Sequence, residues 1–169
     1  MRTGIVLFLA LLGNPAFAAT LNSPSAKLVD VKATVAKASA GDTVVIPTGI
    51  VTWNGTLSVN KSLILRGQGP TLTIINRPTT ITQTNEFITI DPSSDVPVRV
   101  TGIGFNNKNF GQNYNRLPCI SVAGTTTELT QIRVDHCSFK GGVSTVEWFN
   151  WAYGVVDQRW RARNIPTGW

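Results

Sequence analysis

Val134-Asp135 reappears as Val156-Asp157 at an offset of 22 residues. If the two pairs occupy one position on stacked strands, their carboxylates stand about 4.8 Å apart. Like charges that close repel unless a cation or a hydrogen-bond network joins them, so Asp135 and Asp157 are candidate halves of a metal or acid site. The plainer role is that each Asp accepts turn amides at a strand end, a frequent use of that side chain. His136 is the sole histidine and follows Asp135 directly. Strand alternation directs it to the interior or to a bend, away from its neighbour's face. A satisfied structural histidine is the ordinary reading there, and general acid–base catalysis, with Asp135 and Arg133 as the companion groups, is the sharper one.

Arg99 and Arg133 lie 34 residues apart in matching strings. Stacked, their guanidinium forks would line a groove suited to anionic groups, although solvated arginines on a sheet face are the commoner case. Trp148, Phe149, Trp151 and Tyr153 form an aromatic cluster whose flat rings match pyranose faces or else pack a loop onto the body of the protein. The candidate substrate-binding set is therefore Arg99, Arg133, Trp148, Trp151 and Tyr153. Cys119 and Cys137 are the only cysteines; one disulfide is open to them, and a buried free thiol is the alternative. With a single histidine there is no Cys/His metal pattern.

The elements that must position these groups are short. Leu28, Val31, Val35 and Ala38 recur at helical steps, with Ser25 as a reasonable N-cap, and Gly41-Asp42 ends that helix. Beyond it come β-branched runs of three to five residues between Gly, Pro and Asn: Thr43 to Ile46, Leu57 to Val59, Leu63 to Leu65, Leu72 to Ile75, Phe87 to Ile90, Val98 to Val100, Cys119 to Val122 and Ile132 to Val134. The runs repeat one another. Val98 to Phe105 aligns with Ile132 to Phe139 at an offset of 34, and Phe87 to Ile90 with Cys119 to Val122 at 32. Together with the 22-residue offset, this predicts coils of about 22 residues with a longer insertion in one of them, the signature of a solenoid. Inward apolar residues alternate with outward polar ones, and the amphipathic helix is placed to cover the N-terminal coil.

Met1-Arg2-Thr3-Gly4, the apolar run Ile5 to Leu12 and then Ala16-Phe17-Ala18 have the layout of a secretory signal peptide, with cleavage expected after Ala18. The apolar run is shorter than the roughly 20 residues of a membrane span. The expected product is secreted or periplasmic. The formal charge of +6 is concentrated at the ends; between Ala19 and Asp157 there are 11 basic and 9 acidic residues, too even a balance for a nucleic-acid groove.

Gly41-Asp42-Thr43-Val44-Val45-Ile46-Pro47-Thr48-Gly49, then Ser62-Leu63-Ile64-Leu65-Arg66-Gly67-Gln68-Gly69, then Ile132 through Phe139, resemble the opening coils of pectate-lyase-like right-handed parallel β-helix proteins. The resemblance covers Leu28 to Asp157. It implies an all-β fold: a right-handed parallel β-helix with an N-terminal amphipathic capping helix, incomplete at the C-terminal end. It also implies acidic polysaccharide as the substrate class. Cleavage by β-elimination would need a cation or Arg against the uronate carboxylate and a base for the C5 proton, with Ca2+ the cation expected of such lyases and Asp135 and Asp157 its candidate ligands. Arg116 to Ser121 partly matches an R-x-P-x-x-R string with Ser121 in the second Arg place, a chance match, and the G-H-G and R-I-K strings of the related hydrolases are absent.

The expected organisation is a signal peptide at 1–18, a partial β-helix domain at 19–157 and an atypical tail at 158–169. An exported polysaccharide-active, lyase-like protein is the first functional expectation. A non-catalytic carbohydrate-binding or adhesion solenoid is the second, because fold alone does not assign activity, and a fragment without activity is the third.

Overall fold

The structure, a computed structural model, describes residues 18–78, 86–106, 119–122 and 129–140, together with the backbone of a strand at 155–157. One helix, α1 (Leu28–Lys37), is accompanied by thirteen short strands among the described residues: β1 (Thr20–Asn22), β2 (Thr43–Val45), β3 (Gly49–Thr52), β4 (Leu57–Val59), β5 (Leu63–Arg66), β6 (Thr73–Asn76), β7 (Ile88–Ile90), β8 (Val98–Thr101), β9 (Gly104–Asn106), β10 (Ile120–Val122), β11 (Ile132–Asp135), β12 (Ser138–Lys140) and β13 (Val155–Asp157). Every pairing is parallel, in three sheets ordered β1-β2-β5-β8-β11, β3-β6-β9-β12 and β4-β7-β10-β13. The chain thus visits the three sheets in turn, one strand each, and returns one layer further along. This is an all-β, solenoid-like fold.

Alternation explains how strands of three or four residues persist. In β5 Leu63 and Leu65 are buried while Ile64 is half-buried and Arg66 exposed. The inward positions stack as ladders: Val44, Leu65, Val100 and Val134 in the first sheet, Val51, Ile75, Phe105 and Phe139 in the second, and Leu57, Ile88 and Ile120 in the third. Phe105 and Phe139 stack with centroids 5.3 Å apart. Each fully buried Leu, Ile or Phe contributes about 2 kcal/mol from removal of apolar surface. Ile132, Val134, Cys137 and Phe139 of the fourth coil are only partly buried.

Helix α1 covers the N-terminal end, with Val31, Thr34 and Val35 buried against the first coil. Asp30 in its first turn and Lys37 in its last suit the helix dipole. Its N-cap is Lys27, with no side-chain cap, in place of the expected Ser25; the Ser25 hydroxyl accepts from Lys27 N–H and donates to Asp30. Trp53, 1 % exposed, donates its indole N–H to Ala26 C=O at 3.0 Å and ties the segment before the helix to the first coil.

The 34- and 32-residue offsets are true ladder registers, Val98 with Ile132 and Ile88 with Ile120. The 22-residue offset is not. Asp157 of β13 pairs with Val122 in the third sheet, whereas Asp135 of β11 pairs with Thr101 in the first. The two Val-Asp pairs match in sequence yet belong to different faces, because both simply follow the alternation of a strand. Only the first coil is short, with Thr43 in register with Ile64; the later coils are longer, so insertion is not confined to one of them. No helix among the described residues is long and apolar enough to cross a membrane.

Candidate functional site

The outer face of the five-stranded sheet carries the charged cluster. Ile132 and Val134 point inward, so Arg133 and Asp135 share the outer face of β11. The register sets Arg133 beside Arg99 and Asp135 beside Thr101. Two cations directly opposite each other on a sheet are destabilising, and Asp135 offsets them. Arg99 reaches it diagonally with both arms of its fork, Nε to Oδ2 and Nη2 to Oδ1, each at 3.0 Å. The Thr101 hydroxyl donates to Oδ1, Arg133 Nε meets Oδ2, and His136 Nδ1 lies 3.1 Å from Oδ1. Side-chain exposure rises outward from 15 % for Asp135 through 38 % for Arg99 to 67 % for Arg133 and 74 % for His136.

These donors decide what Asp135 can do. Hydrogen bonds from Arg99 above all, then from Thr101 and His136 and the charge of Arg133, hold its carboxyl well below the usual carboxylate range despite partial burial. A carboxylate so stabilised is a weak proton acceptor. Its lone pairs are also taken, and Asp157 stands on another sheet. The residues therefore do not fit calcium, and no group of three or more His, Cys, Asp or Glu side chains capable of holding a metal occurs among the described residues.

His136 lies in the bend between β11 and β12, exposed and with φ 51°. Of the two expected places, interior or bend, it takes the bend. Arg66 escaped the sequence reading, although Leu63 to Gly67 aligns with Val98 to Gly102 at an offset of 35. It is exposed on the same outer face and its Cα partner is Thr101. Arg66, Arg99 and Arg133 thus lie on three successive strands of one outer face, Arg99 and Arg133 level with each other and Arg66 two residues along, level with Thr101 and Asp135. Trp148, Trp151 and Tyr153 lie outside the described residues. Cys119, beside β10, and Cys137, between β11 and β12, are both free thiols, so the disulfide alternative is not realised.

Two other polar features are structural. Asp95 accepts the Thr130 N–H at 2.9 Å, the Thr130 hydroxyl and the Gln131 N–H, pinning the turn that enters β11. A concavity of about 370 Å³ between α1 and β4 is edged by Lys32, Thr56 and Lys61, with no carboxylate or imidazole in its lining.

Compared with protein-family models, with curated proteins and with solved structures, the chain has no match in any of the three.

Proposed function

We propose that this chain is an exported, right-handed parallel β-helix of the pectate-lyase-like kind whose outer-face arginines bind acidic polysaccharide without cleaving it. Right-handedness follows from the near-universal hand of crossovers between parallel strands and agrees with the opening-coil resemblance. Export rests on the N-terminal segment ending at Ala18. The observation that carries the binding reading is the Arg99–Asp135 pair: a guanidinium fork on this face already grips a carboxylate with two parallel bonds. Arg66 and the largely exposed Arg133 offer the same chemistry to an external uronate. Strands spaced about 4.8 Å apart present such groups at a spacing suited to a polymer.

Binding is favoured over β-elimination because Asp135, the carboxylate nearest these arginines, is saturated with donors, and His136 is turned to solvent. The test is affinity electrophoresis of the chain through gels containing polygalacturonate or a neutral glucan, paired with ultraviolet absorbance for unsaturated product in calcium and in chelator. Retardation by polygalacturonate alone, weakening with salt and lost in Arg99→Ala/Arg133→Ala, with flat absorbance, is the expected outcome. A calcium-dependent rise in absorbance lost in Asp135→Ala would replace this reading with the lyase. Equal mobility in all gels would remove the glycan.

A further inference from the structure

Asp42 sits at the end of the turn that follows α1 and is 6 % exposed. Its Oδ2 accepts the Ser39 N–H and its Oδ1 accepts the Ala19 N–H, both at 2.7 Å. Ala19 is held in place from its other side as well, because its C=O accepts the Thr43 N–H at 2.8 Å. From there β1 runs in register along β2, Thr20 with Thr43 through Asn22 with Val45. The ion pairs among the described residues all end on Asp135, so Asp42 is a buried carboxylate with two amide donors and no cation. Burying a carboxylate without a counter-charge is costly. The nitrogen 2.7 Å from it is the one that the expected cleavage after Ala18 would turn into a chain terminus.

We propose that Asp42 is the receptor for a new α-ammonium at Ala19, and that processing of the Ala18–Ala19 bond converts a neutral hydrogen bond into a buried ion pair. This rests on the export reading above. In the step, a signal peptidase adds water across the amide: Ala18 leaves as a carboxylate, and the Ala19 nitrogen gains the protons that make it an ammonium. Ala18 and Ala19 are exposed, so the scissile bond is open to a protease while the carboxylate behind it is not. The strand need not move, since the nitrogen already occupies the ion-pair position. Processing thereby strengthens the hold on β1, the outermost strand of the first sheet, whose fraying would expose the backbone groups of β2.

The test compares the chain beginning at Ala19 with one beginning at Asn14, which keeps the Ala19 amide, each with Asp42 and with Asp42→Asn. At pH 7 the Ala19 chain should melt higher, on the order of 5 °C, and the gap should vanish when both carry Asp42→Asn. An amine whose pKa is raised by its partner stabilises fully below its unfolded value of about 7.7–8.0 and loses that contribution as pH rises through the folded value, so the gap should close in alkali. Lys37 and Lys61, the cations on adjoining elements, the latter bonded to Ala38 C=O, are common to both chains and cancel. Equal melting at pH 7, or a gap that survives Asp42→Asn or alkali, overturns the proposal. If Asp42→Asn does not fold, the pH dependence of cyanate reaction at the Ala19 amine decides: a pKa above the ordinary range supports the ion pair, and an ordinary value overturns it. N-terminal sequencing of the exported protein separately tests the export reading. A start other than Ala19 removes the processing step, whatever the stability pair says about Asp42.

Discussion

Gly102 and His136 occupy the same corner of adjacent coils, one residue past the paired ends of β8 and β11, and both hold a positive φ, 70° and 51°. The corner demands a left-handed residue; one coil supplies glycine and the next a side chain that must tolerate it. For a non-glycine residue that conformation costs about 1 kcal/mol, and the exposed contact of His136 with Asp135 returns little of it.

His136→Gly should therefore raise stability by about 0.5–1 kcal/mol, read as a higher denaturant midpoint with unchanged slope. His136→Val, β-branched at positive φ, should lower it. A loss of stability in the glycine variant would mean that the imidazole holds the cluster together.

Gly104 begins β9 where the chain of the preceding coil passes close by. A Cβ there would stand 2.2 Å from the Pro70 carbonyl oxygen, a backbone atom that cannot swing aside. Gly104→Ala should cost about 3 kcal/mol. Gly55→Ala, whose Cβ would meet only Leu28 at 3.5 Å, should be close to neutral in the same denaturation assay.

Asp135 should register in acid. Its folded pKa is depressed by Arg99, Thr101, His136 and Arg133, so its contribution is present above the unfolded value of about 3.9 and disappears as pH falls through the folded value. Asp135→Asn should cost about 1 kcal/mol between pH 5 and 8, as expected of a partly exposed pair, with the difference from wild type closing below about pH 4. High salt should shrink the difference, because the arginines left facing each other are then screened.

Neither thiol should react quickly in the folded chain. Burial pushes Cys119 up to about 12 and raises Cys137 as well, so at pH 8 neither holds much thiolate. A colorimetric thiol reagent should find two equivalents on denaturation without reductant and far slower reaction before it. Fewer than two would reveal a disulfide.

Strands with β-branched runs and inward alternation were legible directly, and so was the partnership of Arg99 with Arg133, because one offset of 34 residues carries both strands and corner. The second sheet was harder to read. β3 begins at Gly49 and leaves Ile50 70 % exposed, while β9 and β12 each carry a single apolar side chain, Phe105 and Phe139, too few to show a period. The Asp135–Asp157 pairing failed for a related reason: a two-residue match says that both are strand ends, and nothing about which sheet each joins. Arg66 was missed because the apolar run ends before it, although its strand continues.

The connections between successive sheets differ sharply in length. From first sheet to second the chain needs only 46–48, 67–72, 102–103 and 136–137; from second to third it uses 53–56, then 77–87, 107–119 and 141–154. One corner is held to a minimum by close backbone contacts at Gly67, Gly102 and Gly104, and the other lengthens with each turn while the ladders stay in register. The ladders thus hold one register across separations that differ threefold, so the stacking of the strands is set by their inward side chains and not by the length of chain between them.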